Sequence, residues 1–167
     1  MRNCFGEPLN FDEVYSRGPL VLKFFAGLWS STCVADLEVL QENFETLSEL
    51  GATVVAVSTH NNDKLLRHAN EHDLSFHLVS DRREEITSLF GLVVKISDEL
   101  SHVFKEVQGI KLAKHHGKSA PEIALPATFV IDRTGTIVYA HFSEDMHGRP
   151  EMNEVIQAIK RVNIDQQ

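Results

Sequence analysis

A cysteine and a serine three positions apart are the strongest candidates for chemistry in this sequence. Cys33 follows a linking segment, 26–32, that joins an apolar run to a stretch with helical periodicity, and Ser30 lies within that segment. A thiol in the first turn of a helix meets the positive end of the helix dipole and free amide groups, which favour the thiolate. Because the thiolate is the nucleophilic form, Cys33 is predicted to be a redox centre. The alternative is a small buried core side chain, as free cysteine often is.

Strand-like and helix-like segments alternate along the chain and place Cys33 between them. Short apolar runs predict buried strands, and apolar residues at steps of three and four predict helices. The predicted strands cover residues 20–25, 53–58, 76–79, 92–96, 127–132 and 136–142. The predicted helices cover residues 33–50, 62–72, 84–90, 98–107 and 150–162, with a loop at 109–124. This order predicts an α/β fold with a mixed central sheet, an antiparallel hairpin at one edge and helices on both faces.

Length and charge restrict the function classes. The 167 residues suit a single domain, 1–167. A net charge of −8 argues against nucleic acid and anionic membranes as partners. No run approaches the roughly 18 apolar residues of a spanning helix, and residues 1–6 lack the apolar core of a secretory signal. Two cysteines do not make a disulfide framework, so a cytoplasmic location is expected.

The nine histidines do not predict a metal site. His68 and His72 share one face of a predicted helix, and His115 and His116 lie in a lysine-bearing loop. Neither pair has cysteine or carboxylate partners at ligand spacing, so solvated positions are expected for both. The sequence also has no glycine-rich phosphate loop and no nucleotide motif. We therefore expect neither a metal nor an organic cofactor.

Two segments resemble the alkyl hydroperoxide reductase/thiol-specific antioxidant family, most closely its peroxiredoxin-like branch. Residues 24–37 (FFAGLWSSTCVADL) are similar to the segment around that family's active cysteine. Residues 125–135 (LPATFVIDRTG) are similar to its Pro-Ala-Thr-Phe-x-Ile-Asp-x-x-Gly signature. The resemblance extends from about Gly6 to Ile159 and implies a thioredoxin-like fold.

The resemblance assigns roles to three residues. Cys33 matches the peroxidatic cysteine, and also the second cysteine of the branch's Trp-Cys-Pro-x-Cys segment. Ser30 matches a threonine or serine that hydrogen-bonds peroxide or thiolate, although we favour its role as the N-cap of the following helix. Pro126 matches the cis-proline that faces the active cysteine in thioredoxin folds, so a cis peptide bond is predicted before it.

Three departures from the family pattern bear on reactivity. Ser30 removes the Cys-x-x-Cys dithiol, Ala26 replaces a proline, and Val138 stands where the resemblance expects an arginine that supports the thiolate. Loss of that cation predicts a slower thiol, with Arg149 as its potential replacement. Asp36 suits the helix dipole but is expected to oppose thiolate formation.

The leading hypothesis is a thiol peroxidase. The Cys33 thiolate would attack a hydroperoxide and become a sulfenic acid, which an external thiol such as thioredoxin or glutathione would reduce. Cys4, the only other thiol, either resolves the sulfenic acid as a disulfide or is a frayed terminal residue, and the second is favoured. A homodimer is expected only by analogy with the family.

Two other interpretations of the same residues stay open. In the first, the fold has lost its redox pair and its arginine and serves as a binding or regulatory module. A reactive Cys33 would support the enzyme, and a buried, inert thiol would support the module. In the second, Ser30 is an engineered replacement of a native cysteine, and the parent protein is a Cys-x-x-Cys disulfide oxidoreductase.

Overall fold

Strands and helices alternate along the chain of the computed structural model, which describes residues 1–116, 122–142 and 149–165. The strands are β1 (Leu20–Phe24), β2 (Thr53–Ser58), β3 (His77–Ser80), β4 (Val93–Lys95), β5 (Glu122–Ala124), β6 (Ala127–Ile131) and β7 (Ile137–Phe142). The helices are α1 (Phe11–Arg17), α2 (Ser31–Glu42), α3 (Phe44–Glu49), α4 (Asn62–Glu71), α5 (Glu85–Leu89), α6 (Asp98–Gln108), α7 (Leu112–His116) and α8 (Met152–Asp165).

The central sheet has five strands in the order β3-β2-β1-β6-β7. Strands β1, β2 and β3 run parallel, whereas β6 and β7 are antiparallel to their neighbours. The register pairs Lys23 of β1 with Thr128 of β6, and Thr128 with His141 of β7. Strands β4 and β5 form a separate two-stranded ladder. The predicted mixed sheet with a terminal antiparallel hairpin is confirmed.

Helices cover both faces of this sheet. One hydrophobic cluster contains Val21 and Phe25 of the β1 segment together with side chains of α2, α3, α4 and α8. The other contains the alternate β1 residues, with α5 inside it and α1 packed against it. Since β1 is buried on both faces, every position in it, including Lys23, lies in the interior. The α/β architecture with helices on both faces is therefore confirmed.

Two parts of the prediction need correction. The single helix predicted over residues 33–50 is two helices, because the chain leaves helical geometry at Asn43 (φ −99°, ψ 1°), whose side chain donates to the Val39 carbonyl at 2.8 Å. The loop predicted over 109–124 contains α7 and β5, with residues 117–121 outside the described part. Helix α1 was not predicted at all. Its cap is Asn10, whose side chain accepts from the amide of Asp12.

The longest of the described helices is α8, with 14 residues. A bilayer-spanning helix needs about 20 residues. Within the described ranges, no helix has the length and apolar character needed to cross a membrane.

Candidate active site

Cys33 lies in the first turn of α2, at the end of the loop that leaves β1. Its side chain is 1% exposed. Ser30 is the N-cap of α2, with extended backbone, and its Oγ accepts from the Cys33 amide at 3.4 Å. This confirms the capping role predicted for Ser30. The hydroxyl and the thiol thus belong to the same helix end, where free amide groups favour negative charge.

Pro126 lies at the same end of the sheet as this loop. The register pairs Ala127 with Phe24, so Pro126 is level with the first loop residue after β1. The described residues contain no cis peptide bond, so the prediction of a cis bond before Pro126 is wrong. Leu125 and Pro126 link β5 directly to β6, and the Leu125 amide donates to the Leu92 carbonyl at 2.8 Å. A trans bond is the ordinary choice, favoured by roughly 0.5–1 kcal/mol.

A buried ion pair lies one helical turn below Cys33. Lys23 Nζ donates to Asp36 Oδ2 at 2.7 Å, and both side chains are almost completely buried. Arg149 Nε lies 3.0 Å from the other carboxylate oxygen. Asp36 was expected to oppose the Cys33 thiolate, and in the structure two cations, Lys23 and Arg149, face its carboxylate. Arg149, 46% exposed at its side chain, reaches the site from outside.

Sequence analysis missed Lys23. The signal was a lysine inside the apolar run of a predicted buried strand, LVLKFF. Lysine is almost never fully buried unless its charge is paired, so this position required an acidic partner nearby. Asp36 is that partner, since the buried stripe of α2 consists of Cys33, Asp36, Leu37 and Leu40.

Val138, the position matched to the family's supporting arginine, lies at the other end of the sheet. Strand β7 pairs Tyr139 with Val130 and Ile137 with Ile131, and Val138 falls in the irregularity between these pairs. Ile131 in turn pairs with Leu20, the first residue of β1. Cys33 follows the last residue of β1, so no side chain at position 138 can reach it. Among the described residues, Lys23 and Arg149 are cations that contact α2 through Asp36.

A layer of aromatic side chains packs against the loop that precedes Cys33. Gly27 is in van der Waals contact with this layer: a Cβ there would overlap the indole nitrogen of Trp29 and lie 3.2 Å from His60 Cδ2. His60 is completely buried and stacks on His116, with ring centroids 5.4 Å apart. His60 Nδ1 lies 2.8 Å from the carbonyl oxygen of His115 and 3.0 Å from the Asn61 amide nitrogen.

Burial and the neighbouring imidazoles of His116 and His115 lower the pKa of His60 to about 3. The ring is therefore neutral at physiological pH. Its Nε2 has no hydrogen-bond partner among the described residues. His60 thus adds an apolar surface and no charge to the floor of the loop.

A chain of hydrogen bonds ties the loop to α7. The Trp29 indole donates to His116 Nε2 at 3.0 Å, so the His116 proton lies on Nδ1, 3.1 Å from Thr59 Oγ1. Thr59 donates onward to the Glu122 carbonyl at 2.8 Å. His116 is 1% exposed, so the solvated position predicted for it is wrong. The reason is that α7 formed where a loop was predicted, and it turns His116 inward onto Trp29.

The prediction that Cys4 is a frayed terminal residue is wrong, because its side chain is buried, with 3% exposed. Its amide donates to the Leu78 carbonyl at 2.7 Å, which seats it beyond the outer edge of β3. Burial raises the pKa of its thiol. With β3 and β2 between them, the Cys4 segment lies about three strand spacings, roughly 14 Å, from β1. Both cysteines are buried free thiols in this structure.

The remaining histidine pair forms no metal site. His68 and His72 stack with ring centroids 4.2 Å apart. Among the described residues no group of three metal-ligating side chains is placed to hold an ion. Burial and the neighbouring His72 lower the pKa of His68.

Comparison with known families places these features in context. The model of the AhpC/TSA family matches residues 2–140, which include the Cys33 loop, Pro126 and strands β1 to β6. The chain belongs to the AhpC/TSA family. Peroxiredoxin Bcp of Escherichia coli strain K12 is 29% identical over 87 residues, which are 52% of this chain. The chain spans 55% of the length of that curated relative.

Solved structures of AhpC/TSA relatives share the fold. Peroxidoxin BcpB from Mycobacterium tuberculosis superposes with a TM-score of 0.72 at 20% identity, covering 96% of this chain and 90% of that protein. The bacterioferritin comigratory protein of Xanthomonas campestris gives 0.72 at 15% identity, covering 96% and 88%. The reduced 2-Cys peroxiredoxin of Plasmodium vivax gives 0.70 at 12% identity, covering 95% and 72%. These neighbours establish the predicted thioredoxin-like fold.

Proposed function

We propose that this protein is a thiol peroxidase that reduces hydroperoxides through Cys33. The observation that carries the proposal is the position of Cys33 in the first turn of α2, capped by Ser30 within the family's active-site segment. The dipole and free amides at that helix end favour a thiolate. The Xanthomonas campestris neighbour has alkyl peroxide reduction activity, which supports the same class of substrate here.

The proposed reaction is a displacement at oxygen. The Cys33 thiolate attacks the terminal oxygen of ROOH, a sulfur–oxygen bond forms, and the oxygen–oxygen bond breaks. The thiolate becomes a sulfenic acid, and the departing alkoxide takes a proton to leave as ROH. We propose that the Ser30 hydroxyl donates a hydrogen bond to the peroxide, and that Pro126 forms part of the wall facing Cys33.

The sulfenic acid must then be reduced from outside the chain. A first external thiol forms a mixed disulfide with Cys33 and releases water, and a second thiol restores the Cys33 thiol. Thioredoxin or a glutathione-type thiol is the proposed reductant, since Cys4 is a buried free thiol beyond the outer edge of β3. Neither nucleic acid nor membrane is a proposed partner, and no metal or organic cofactor enters this reaction.

The wider setting completes the proposal. We place the protein in the cytoplasm, as a single domain over residues 1–167. Edge strand β7 exposes Ile137 and Phe142 by about half, and a homodimer is proposed to use such apolar surface. The oligomeric state follows from sedimentation of the reduced and oxidised protein.

The burial of Cys33 favours a second candidate, a binding or regulatory module without redox activity. A thiol that is 1% exposed must become accessible before peroxide reaches it. The experiment that separates the two candidates is peroxide consumption with thioredoxin or glutathione as the electron source. Turnover that is abolished in Cys33→Ser and kept in Cys4→Ser supports the peroxidase. If the parent protein consumes peroxide no faster than Cys33→Ser, the result supports the binding or regulatory module instead.

A further inference from the structure

A charged cluster occupies the interior directly below the Cys33 helix turn. It consists of Lys23, Asp36 and Arg149, which we call the charge triad. Lys23 and Asp36 are almost completely buried and share a 2.7 Å hydrogen bond, and Arg149 Nε lies 3.0 Å from the free carboxylate oxygen. Two cations and one anion give the triad a formal charge of +1. Burying a charged pair is costly, so the buried Lys23–Asp36 pair has to be accounted for, whereas the third member, Arg149, is half-exposed.

The geometry of α2 sets the triad beside the thiol. Cys33 and Asp36 are three residues apart and belong to the same buried stripe of the helix. Side chains at that spacing have Cβ atoms about 5–6 Å apart. Lys23 Nζ contacts the Asp36 carboxylate, so we place its charge on the order of 8 Å from the Cys33 sulfur. The Lys23 and Cys33 side chains are both buried.

The two imidazoles packed near the Cys33 loop, those of His60 and His116, carry no charge. From the loop after β2, His60 is neutral, because burial and adjacent imidazoles lower its pKa to about 3. From α7, His116 accepts the Trp29 hydrogen bond on Nε2, which fixes its neutral form. From β7, His141 lies two strands from Lys23 in register, beyond Thr128. Among the described residues, the triad supplies the charge that faces Cys33 from β1 and α2, and Lys64 adds a cation beside His60 and His115.

We propose that the charge triad is a built-in electrostatic support for the Cys33 thiolate, in which Lys23 supplies the buried cation and Asp36 holds it in place. Arg149 balances Asp36, so that the Lys23 charge is not cancelled. The inference deepens the proposed function, because a stabilised thiolate is what a thiol peroxidase requires. It also gives a physical reason for a lysine in the middle of a buried strand.

The test is a charge series read through the ionisation of Cys33. In a Cys4→Ser background Cys33 is the only thiol, and the ultraviolet absorbance of its thiolate is followed as pH rises. Asp36→Asn removes the anion and raises the triad charge, so the midpoint pH should fall. Lys23→Met removes the cation and should raise it. A unit charge about 8 Å away at an effective dielectric constant of about 20 moves the midpoint by about 1.5 pH units.

The double variant Lys23→Met/Asp36→Asn restores the triad charge to that of the parent, so its midpoint should return close to the starting value. Lys160→Gln, on the exposed face of α8, is the matched control and should leave the midpoint unchanged. If Lys23→Met does not fold, the effect of Lys23 is obtained by comparing the Cys33 midpoint of the double variant with that of Asp36→Asn. Single variants that shift the midpoint in the same direction, or not at all, would overturn the proposal.

The readout needs no peroxide, which separates this inference from the proposed function. If the Cys33 ionisation midpoint falls in Asp36→Asn and rises in Lys23→Met, the proposed role of the charge triad is supported even when Cys33 does not react with peroxide. Rapid oxidation of Cys33 by peroxide with unmoved midpoints would refute the triad and leave the peroxidase intact.

Discussion

Lys23 Nζ and Asp36 Oδ2 are 2.7 Å apart in the interior of the protein, between the middle of β1 and the second turn of α2. The pair joins the central strand of the sheet to the helix that carries Cys33. An ion pair in this position contributes to stability only while both partners remain, since either charge alone would be buried without compensation.

Breaking this pair should destabilise the fold. Lys23→Met leaves the buried Asp36 carboxylate with only the half-exposed Arg149, and we expect a loss of about 3 kcal/mol in the free energy of unfolding. The double variant Lys23→Met/Asp36→Asn removes both buried charges and should recover most of that loss. Urea unfolding followed by circular dichroism measures both. A single Lys23→Met variant as stable as the parent would contradict the assigned pairing.

The neutral His60 should make stability fall in acid. Its pKa is about 3 in the folded state and 6.5 for an ordinary histidine, so the unfolded chain binds one more proton between these values. Stability is therefore complete above pH 6.5 and is lost as pH falls towards 3. Between pH 6.5 and 5 the His60 contribution is about 2 kcal/mol.

The variant His60→Asn isolates this contribution. Carboxylates titrate in both proteins, so the measured quantity is the difference between their pH slopes in urea unfolding at pH 6.5 and pH 5. We expect the parent to lose about 2 kcal/mol more than His60→Asn over this interval. Equal slopes in the two proteins would show that His60 accepts a proton in the folded state.

The Trp29–His116 hydrogen bond should hold the Cys33 loop against α7. His116→Ala removes the acceptor 3.0 Å from the indole nitrogen, which should cost about 1–2 kcal/mol and admit water to the ring. Trp29 is the only tryptophan, so its emission reports the change directly as a red shift. His115→Ala is the control, because that half-buried ring contacts Lys64 and not Trp29. Equal red shifts in both variants would contradict the assignment.

Cys4 should take no part in the first turnover. Its thiol is buried at the outer edge of β3, about three strand spacings from β1. Peroxide treatment of the reduced parent protein should therefore give no Cys4–Cys33 disulfide at the earliest times, and Cys4→Ser should form the oxidised Cys33 species at the parent rate. Non-reducing peptide mapping decides the point. A prompt Cys4–Cys33 cross-link would mean that the N-terminal segment leaves its place on β3.

The sequence determined the fold well because its signals are local. Strand β2 matches its predicted range, 53–58, since a β-branched apolar run has one clear interpretation. The helix break at Asn43 was missed because it depends on one side chain bonding back to Val39. Helix α7 was missed because its short length gives too few turns for a periodic pattern, and its stability comes from burying Leu112 and His116.

The site was predictable only in part. Cys33 and Ser30 could be found because helix ends and caps are encoded within four residues. The charge triad could not, since it joins β1, α2 and the segment before α8, which meet only through tertiary packing. The cis bond predicted before Pro126 was carried over from the family resemblance and not from a signal in this chain's own residues, and the bond is trans.

The most direct test of the central claim is the reaction of the reduced Cys4→Ser protein with a stoichiometric amount of hydrogen peroxide, followed by mass spectrometry after rapid quenching with a sulfenic-acid trap. The account predicts that Cys33 gains one oxygen much faster than free cysteine under the same conditions, and that Cys33→Ser gains none. Oxidation of Cys33 no faster than that of free cysteine would contradict the peroxidase assignment and leave the AhpC/TSA fold as a scaffold without redox activity.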